Sequence, residues 1–352
     1  MNHYKIAVVP GDGIGVEVVG ESLKVLDALA SKFGFQLSYQ HYDYSCEYYK
    51  KHGRMMPEDG LDRLGDSDSI FLGAVGYPGV PDHVSLWGLL IPIRRAFHQY
   101  INLRPVRLLK GINSPLKHAK DIDFMIVREN NEGEYSSIGG RLHEGTPYET
   151  VVQESVFTRH GVDRVMKYAF DLATSRQGKL ASATKSNGII HTMTFWDERF
   201  RDIGKSYPQV EQSQYHIDIL CAQFVQHPDW FDVVVASNLF GDILSDLGPA
   251  IVGGIGIAPG ANLNPEKDYP SMFEPVHGSA PDIAGKNIAN PIACFWTGAM
   301  MLDHLGEVEA SRVLVSAIEN LTEAGQVLTR DLGGSSSTTD VTHDIVRIIK
   351  SL

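Results

Sequence analysis

Val233-Val234-Val235-Ala236-Ser237-Asn238-Leu239-Phe240-Gly241-Asp242-Ile243-Leu244-Ser245-Asp246-Leu247 is the stretch on which the fold turns. The β-branched run Val233–Val235 predicts a buried strand, and Asn238 with Gly241 predicts a turn after it. A helix follows, with Asp242 and Asp246 four residues apart on one face. Like charges at that spacing cost a helix roughly 0.2–0.5 kcal/mol unless a cation lies between them. An isolated pair of this kind reads as a solvated acidic face. Here Leu239, Phe240, Ile243, Leu244 and Leu247 set the pair beside a buried surface, which favours a divalent cation such as Mg²⁺ or Mn²⁺ on oxygen ligands.

The strand-then-glycine theme recurs. Ile6–Val9 predicts a strand, Pro10–Gly15 a glycine-rich turn and Val16–Lys32 an amphipathic helix. Ile70–Gly76 and Phe124–Arg128 repeat it. Strands alternating with helices predict an α/β fold around a largely parallel sheet, with ligands collecting at the loops after the strands. Two segments break the rhythm. Residues 132–153, rich in Gly, Ser, Thr and Glu, predict a strand pair or arm, and Gly253–Ser279, rich in Gly and Pro, predicts a long ordered loop. Gly11-Asp12-Gly13-Ile14-Gly15 is not the dinucleotide fingerprint, because its third glycine comes one residue early, and Gly278 to Gly285-Lys286 is too long for a P-loop.

The chain of 352 residues is 43% hydrophobic and 21% charged, a globular composition long enough for two domains around a large core. With 31 basic against 43 acidic residues and no basic block, nucleic acid and anionic membrane surfaces are excluded as expected partners. An anionic substrate would need local arginines working against a net charge of −12. Cys46, Cys221 and Cys294 are widely spaced and predict reduced thiols of a cytoplasmic protein rather than disulfides or a zinc site. The N-terminal residues lead straight into a strand with no signal peptide, and no apolar run reaches the roughly 20 residues of a membrane span.

Arg94, Arg104 and Arg128 follow the first third of the chain; Pro105 favours an extended backbone at Arg104, and Arg128 ends a strand. Singly, each reads as an ordinary ion-pair arginine. Converging on one cleft, their planar forks would hold carboxylates bidentately, which beside the aspartate pair suggests a metal-bound dicarboxylate. Tyr135 and Lys185 are the candidate acid and base, although on the residues alone a solvent-facing lysine is the somewhat better account of Lys185.

Taken together, these motifs resemble the metal-dependent β-decarboxylating dehydrogenases, the group of isopropylmalate, isocitrate and tartrate/D-malate dehydrogenases. The resemblance runs from Ile6 almost to the C-terminus through Val9–Gly15, Asn102–Pro105, Val127–Asn130, Ser237–Asp242 and Glu274–Lys286. It implies two domains, residues 1–98 with 253–352 and residues 99–252, sharing one continuous mixed sheet with helices on both faces and a dimerisation arm. It implies a homodimer with shared active sites: substrate arginines Arg94, Arg104 and Arg128, acid Tyr135, and metal aspartates Asp218, Asp242 and Asp246, with base Lys185 and Asp218 coming from the second subunit. Gly73, Ala74, His277, Gly278, Ser279, Ala280, Asp282 and Asn290 fall on its cofactor positions. NADP-dependent isocitrate enzymes carry Lys-Tyr where this chain has Asp282-Ile283, so the implied cofactor is NAD, with Mg²⁺ or Mn²⁺ and K⁺ as a candidate activator. Isopropylmalate enzymes have a glutamate at Trp87, and isocitrate enzymes a serine near Leu90. Leu-Trp-Gly-Leu-Leu at 86–90 therefore resembles the tartrate/D-malate subgroup, implying oxidation of tartrate and oxidative decarboxylation of D-malate. An isopropyl pocket at Leu90 and Ile91 keeps 3-isopropylmalate open. A metal-dependent phosphohydrolase built on Asp242 and Asp246, or a non-catalytic regulatory subunit, is the alternative from another class.

Overall fold

Both faces of strand β1 (His3–Gly11) are buried: Ile6 and Val8 join one apolar cluster, Ala7 and Val9 another. A strand covered on two sides reads as a continuous apolar run, as the strands of parallel α/β sheets do. The computed structural model describes residues 2–118 and 121–352. Its further strands are β2 (Gln36–His41), β3 (Ser69–Ala74), β4 (Ile101–Arg107), β5 (Asp123–Glu129), β6 (Gly139–Leu142), β7 (Thr150–Gln153), β8 (Lys179–Thr184), β9 (Glu211–His216), β10 (Val233–Ala236), β11 (Pro259–Leu263) and β12 (Ser271–Pro275). Ten of them form one sheet in the order β2-β1-β3-β12-β11-β4-β5-β10-β8-β9. Pairing is parallel on both flanks and antiparallel at the centre, where β12, β11, β4 and β5 meet.

Helices α1 (Ile14–Phe33), α2 (Cys46–His52), α3 (Gly60–Gly65), α4 (Asp82–Ser85), α5 (Ile91–Ala96), α6 (Arg159–Ser175), α7 (Thr192–Gly204), α8 (Ile217–Gln226), α9 (Asn238–Ile251), α10 (Ile292–Leu305), α11 (Val308–Ala324) and α12 (Thr338–Ser351) cover the sheet. Between α4 and α5, Leu86–Leu90 winds as a π turn continuous with both, a form found frequently at functional sites. The predicted arm is present: β6 and β7 pair antiparallel as a separate exposed ribbon. Among the described residues no helix is long and apolar enough to cross a membrane.

Two expectations are corrected. Gly253–Ser279 is not one long loop. It contains the 3₁₀ turn Ile255–Ile257 and the two fully buried strands β11 and β12 at the centre of the sheet. Pro259 and Pro275 stand at strand ends, where a missing N–H is tolerated. Gly260 leaves room for Arg104, whose Nε would lie 3.0 Å from a Cβ there. Asn238 and Gly241 do not form a turn either: α9 begins at Asn238 and Gly241 lies inside it. A Cβ at 241 would stand 2.5 Å from Cβ and Cγ of Arg128, so the glycine serves the packing of the helix on β5.

A similar close approach fixes α1 on the sheet. A Cβ at Gly15 would stand 2.3 Å from the carbonyl oxygen of Pro10 and 2.5 Å from the backbone nitrogen of Ala74, whereas one at Gly20 on the same helix would meet nothing within 4 Å. Gly15→Ala is therefore expected to destabilise the protein by about 1–3 kcal/mol. Gly20→Ala should stabilise it by about 0.4–1 kcal/mol. Urea titration of both variants checks the contrast in sign.

Candidate active site

The central antiparallel strands present two unlike faces. Register places Arg128 of β5, Asn102 of β4 and Asn262 of β11 in one row. Period-two alternation adds Arg104 and Glu274 to the same face, while Leu103, Ala261 and Phe273 point to the other. Arg94, on α5, completes the polar face: its Nη2 donates to Glu274 Oε1 at 2.9 Å, and both side chains are only 8% exposed. Asn262 Nδ2 donates to the same Glu274 oxygen at 2.8 Å, and Asn262 Oδ1 accepts from Asn102 and Asn130 at 2.9 Å each. Arg128 donates from Nε and Nη2 to Asn238 Oδ1 at 3.1 and 2.7 Å and forms an ion pair with Asp242. Tyr135 donates its hydroxyl to the other Asp242 oxygen at 2.8 Å.

Arg104 is the one of the three arginines with no carboxylate partner among the described residues. Its Nε donates to Asn102 Oδ1 at 2.8 Å, and no acceptor among the described residues meets its terminal nitrogens. Burial lowers its pKa to about 10, with Glu274 opposing and Arg128 and Arg94 adding to the shift. Burial would raise the carboxyls of Asp242 and Glu274, but the surrounding arginines, with Tyr135 at Asp242 and Asn262 at Glu274, hold both below their ordinary values. Asp246 goes the other way, raised by burial and by the Asp242 charge. Burial and the bond to Asp242 push Tyr135 up to about 12, so it stays a phenol.

Arg94, Arg95, Arg104, Arg128, Tyr135, Asn238, Asp242 and Glu274 line a cleft of about 230 Å³ together with Leu86, Leu90, Ile91, Asn130 and Asn131, while Asp246 lies outside this lining. That is below the roughly 300–1,000 Å³ of pockets for drug-sized ligands and suits a small diacid. Gly73, Ala74, His277 and Gly278 line its other end. The Nε2 of His277 is buried there without a partner, and Nδ1 lies 3.0 Å from the Gly278 carbonyl. An unpartnered buried ring nitrogen beside glycine backbone fits an incoming heteroaromatic ligand. Ser279 accepts the Ile14 N–H at 2.8 Å through its carbonyl. Ala280 is left-handed at φ 39°, Asp282 is exposed, and Asn290 donates to Asp331 at 2.8 Å.

Not all the expected residues converge. Lys185 lies 2.8 Å from the 68%-exposed Asp218, and neither lines the cleft. Among the described residues no group of three His, Cys, Asp or Glu comes together to hold a metal within one chain. Asp242 and Asp246 nonetheless fit a hard cation, because their carboxylates stand one turn apart on α9 and no cationic side chain among the described residues pairs with Asp246. Trp87 lies outside the lining, its ring 5.2 Å from the guanidinium carbon of Arg95, whose Nη2 donates to the Tyr135 carbonyl at 2.9 Å. Sequence reasoning gave no role to Glu274, Asn102, Asn130, Asn238, Asn262 or Arg95. A signal was present for two of them: Asn102 and Asn130 stand two residues from Arg104 and Arg128, the spacing that shares a sheet face.

The family described as isocitrate/isopropylmalate dehydrogenase matches residues 5–346. The D-malate dehydrogenase (decarboxylating) of Escherichia coli K12 is 57% identical over 99% of each chain. The tartrate dehydrogenase/decarboxylase of Pseudomonas putida is 56% identical over 96% of this chain and 95% of its own. The crystal structure of isocitrate dehydrogenase from Methylococcus capsulatus superposes with a TM-score of 0.89 at 34% identity, covering 99% of both chains.

Removing one member of the buried Arg94–Glu274 pair should strand the other. Arg94→Leu is expected to cost about 3–5 kcal/mol in urea unfolding at pH 7. Because the folded carboxyl of Glu274 is depressed, its stabilising contribution is fully present above the ordinary carboxylate pKa and lost as pH falls through the depressed value. The difference between wild type and Arg94→Leu should therefore shrink only at acid pH.

Proposed function

The chain belongs to the isocitrate/isopropylmalate dehydrogenase family of oxidoreductases, and on that premise we propose that it oxidises D-malate to pyruvate and CO₂, and also oxidises tartrate, with NAD and Mg²⁺ or Mn²⁺. The observation that carries this reading is the convergence of Arg94, Arg104 and Arg128 with Tyr135 and Asp242 on one small cleft. Four guanidinium groups line it, Arg95 being the fourth, against two carboxylates, Glu274 and Asp242, which leaves positive charge for a dianionic substrate. Family membership leaves the phosphohydrolase reading without support.

Asp242 and Asp246, with Asp218 of the partner subunit, would hold the cation; K⁺ is an activator in this reading. When bound, a divalent cation supplies Lewis-acid stabilisation of charge building on the substrate's 2-oxygen, and NAD supplies the hydride acceptor. Arg94, Arg104 and Arg128 hold the two carboxylates and fix the C2 hydrogen toward the cofactor end of the cleft. Lys185 of the partner subunit takes the 2-hydroxyl proton. Loss of CO₂ leaves negative charge at C3, and Tyr135, kept protonated by its raised pKa, delivers the proton that ends the reaction. Gly73, Ala74, His277–Ala280 and Asn290 would hold the dinucleotide. The Asp282 carboxylate would accept from a ribose 2′-hydroxyl and repel a 2′-phosphate, hence NAD.

Apolar side chains supporting a homodimer are exposed on the arm (Leu142, Tyr148, Val151, Val152), on α8 (Ile219, Val225) and on α9 (Leu239, Ile243), the helices that carry Asp218 and Asp242. The reading places this dimer in the cytoplasm and divides each chain into residues 1–98 with 253–352 and residues 99–252, meeting where β11 lies beside β4. One observation favours 3-isopropylmalate as the substrate instead: Leu86, Leu90 and Ile91 give the cleft an apolar side.

The test is NADH formation from D-malate, L- and meso-tartrate, 3-isopropylmalate and isocitrate with Mn²⁺ and K⁺ present and CO₂ trapped. D-Malate should give NADH and CO₂ in equal amounts; turnover of 3-isopropylmalate or isocitrate alone overturns the substrate assignment. Asp246→Asn and Asp218→Asn should each abolish Mn²⁺-dependent activity with the fold intact. Mixed and exchanged, the two should recover about a quarter of wild-type activity, because half the dimers are then hybrids with one intact site of two. Trp87→Ala should loosen Arg95 and raise the kcat/KM ratio of 3-isopropylmalate to D-malate by roughly tenfold or more.

A further inference from the structure

The segment that carries Tyr135 leaves β5 and is fastened to the start of α9 at successive points. Asn238 Nδ2 donates to the Glu132 carbonyl at 3.0 Å. Ser237 Oγ donates to Glu134 Oε1 at 2.8 Å, and the Leu239 N–H donates to Glu134 Oε2 at 3.0 Å. Tyr135 then reaches Asp242. Leu239 and Asp242 are three residues apart, so the neighbours Glu134 and Tyr135 grip one side of the helix a turn apart. Gly133 permits this approach: its φ is +78°, and a Cβ there would stand 3.3 Å from Asn238 Cβ.

Ser237 occupies the N-cap of α9 without capping it through its own side chain. Its hydroxyl is committed to Glu134, whose carboxylate serves in its place at the helix end where unpaired amides favour negative charge. The neighbouring glutamates do something else. Glu129 accepts the Asn131 and Glu132 N–H groups within the segment, and the Glu132 carboxylate binds Thr158 at the start of α6. Of the three, Glu134 alone joins the tyrosine's segment to the aspartate helix through its side chain.

We propose that Glu134 is a positioning residue. By bridging this segment to the first turn of α9, it sets where the Tyr135 hydroxyl sits relative to Asp242, and so where the proton donor meets C3 of the substrate. The inference rests on Tyr135 being that donor. A reacting group misplaced by about an ångström can lose on the order of a hundredfold in rate.

E134A is expected to lower kcat for D-malate by roughly tenfold to a hundredfold with KM within about twofold. E134Q keeps an oxygen for the Leu239 N–H and should stay within about threefold of wild-type kcat. In a Y135F background, E134A should add less than about twofold, because it acts through the group already removed. Hydrogen exchange at the Leu239 amide should quicken in E134A and not in E134Q, independently of turnover. If E134A does not fold, S237A serves instead and should lower kcat by about threefold. Unchanged kcat and unchanged exchange in the variant, or a loss that adds in full to that of Y135F, overturns the assignment. A Y135F enzyme as active as wild type overturns the role of Tyr135 and this inference with it. A wild type inactive on D-malate overturns only the substrate reading, and the same variants are then compared on the diacid that is turned over.

Discussion

Three guanidinium groups buried within reach of one another are the constraint that the rest of the site answers to. Desolvation and mutual repulsion act against Arg104 and Arg128, whose affinity for their protons falls as a result. Burying such charges is tolerable only when they are paired and hydrogen-bonded. The sheet supplies Asn102 to Arg104 and Glu274 to Arg94, both from one face of strands whose other face is apolar, and α9 supplies Asn238 and Asp242 to Arg128. The antiparallel centre of an otherwise parallel sheet is what makes this possible, because it brings strands from distant parts of the chain side by side. A chain of net charge −12 thereby keeps a local surplus of positive charge at the bottom of one cleft. Its long-range field does not attract anions, so the selection of a dianion is made at contact.

Much of this was legible in the sequence, and the failures share a cause. The strand at Val233–Ala236, the arm and the arginines follow from local pattern, because β-branched runs, alternation and the residue before a proline act over a few positions. Gly253–Ser279 was misread because its glycines and prolines look like loop residues in isolation. Their placement in β11 and β12 is dictated by neighbours far away in sequence, Arg104 needing the space at Gly260 and β4 supplying the pairing. Gly241 misled in the same way, since its missing side chain serves Arg128 rather than a turn. Glu274 lay in full view within a quoted motif, yet nothing local to it announces Arg94, 180 residues away. Glu134 likewise shows its purpose only once α9 lies alongside it.

Electrostatics also separates two aspartates that the sequence treats as equivalent. Asp242 is held ionised by Arg128, Tyr135 and the other arginines, while Asp246, one turn on, feels chiefly burial and the charge of Asp242. The first is already committed to Arg128 and Tyr135; the second has no ion-pair partner among the described residues. Helical spacing alone gives both residues the same face, and only the arginines on one side of the pair make them unlike.

The π turn at Leu86–Leu90 has a consequence for how such a cleft can change over descent. A π turn holds one more residue than the α turn it replaces, and each residue of a helix advances about 100° around its axis. Deleting a single residue there would restore a regular helix and change which side chains that turn presents, while both flanks keep nearly their present orientation and Ile91 and Arg94 stay seated on the core and on Glu274. Insertion and deletion at this one spot could thus exchange which side chains form the cleft wall in a single event while leaving the arginines untouched. The wall would then be free to diversify on a different evolutionary clock from the charged floor beneath it.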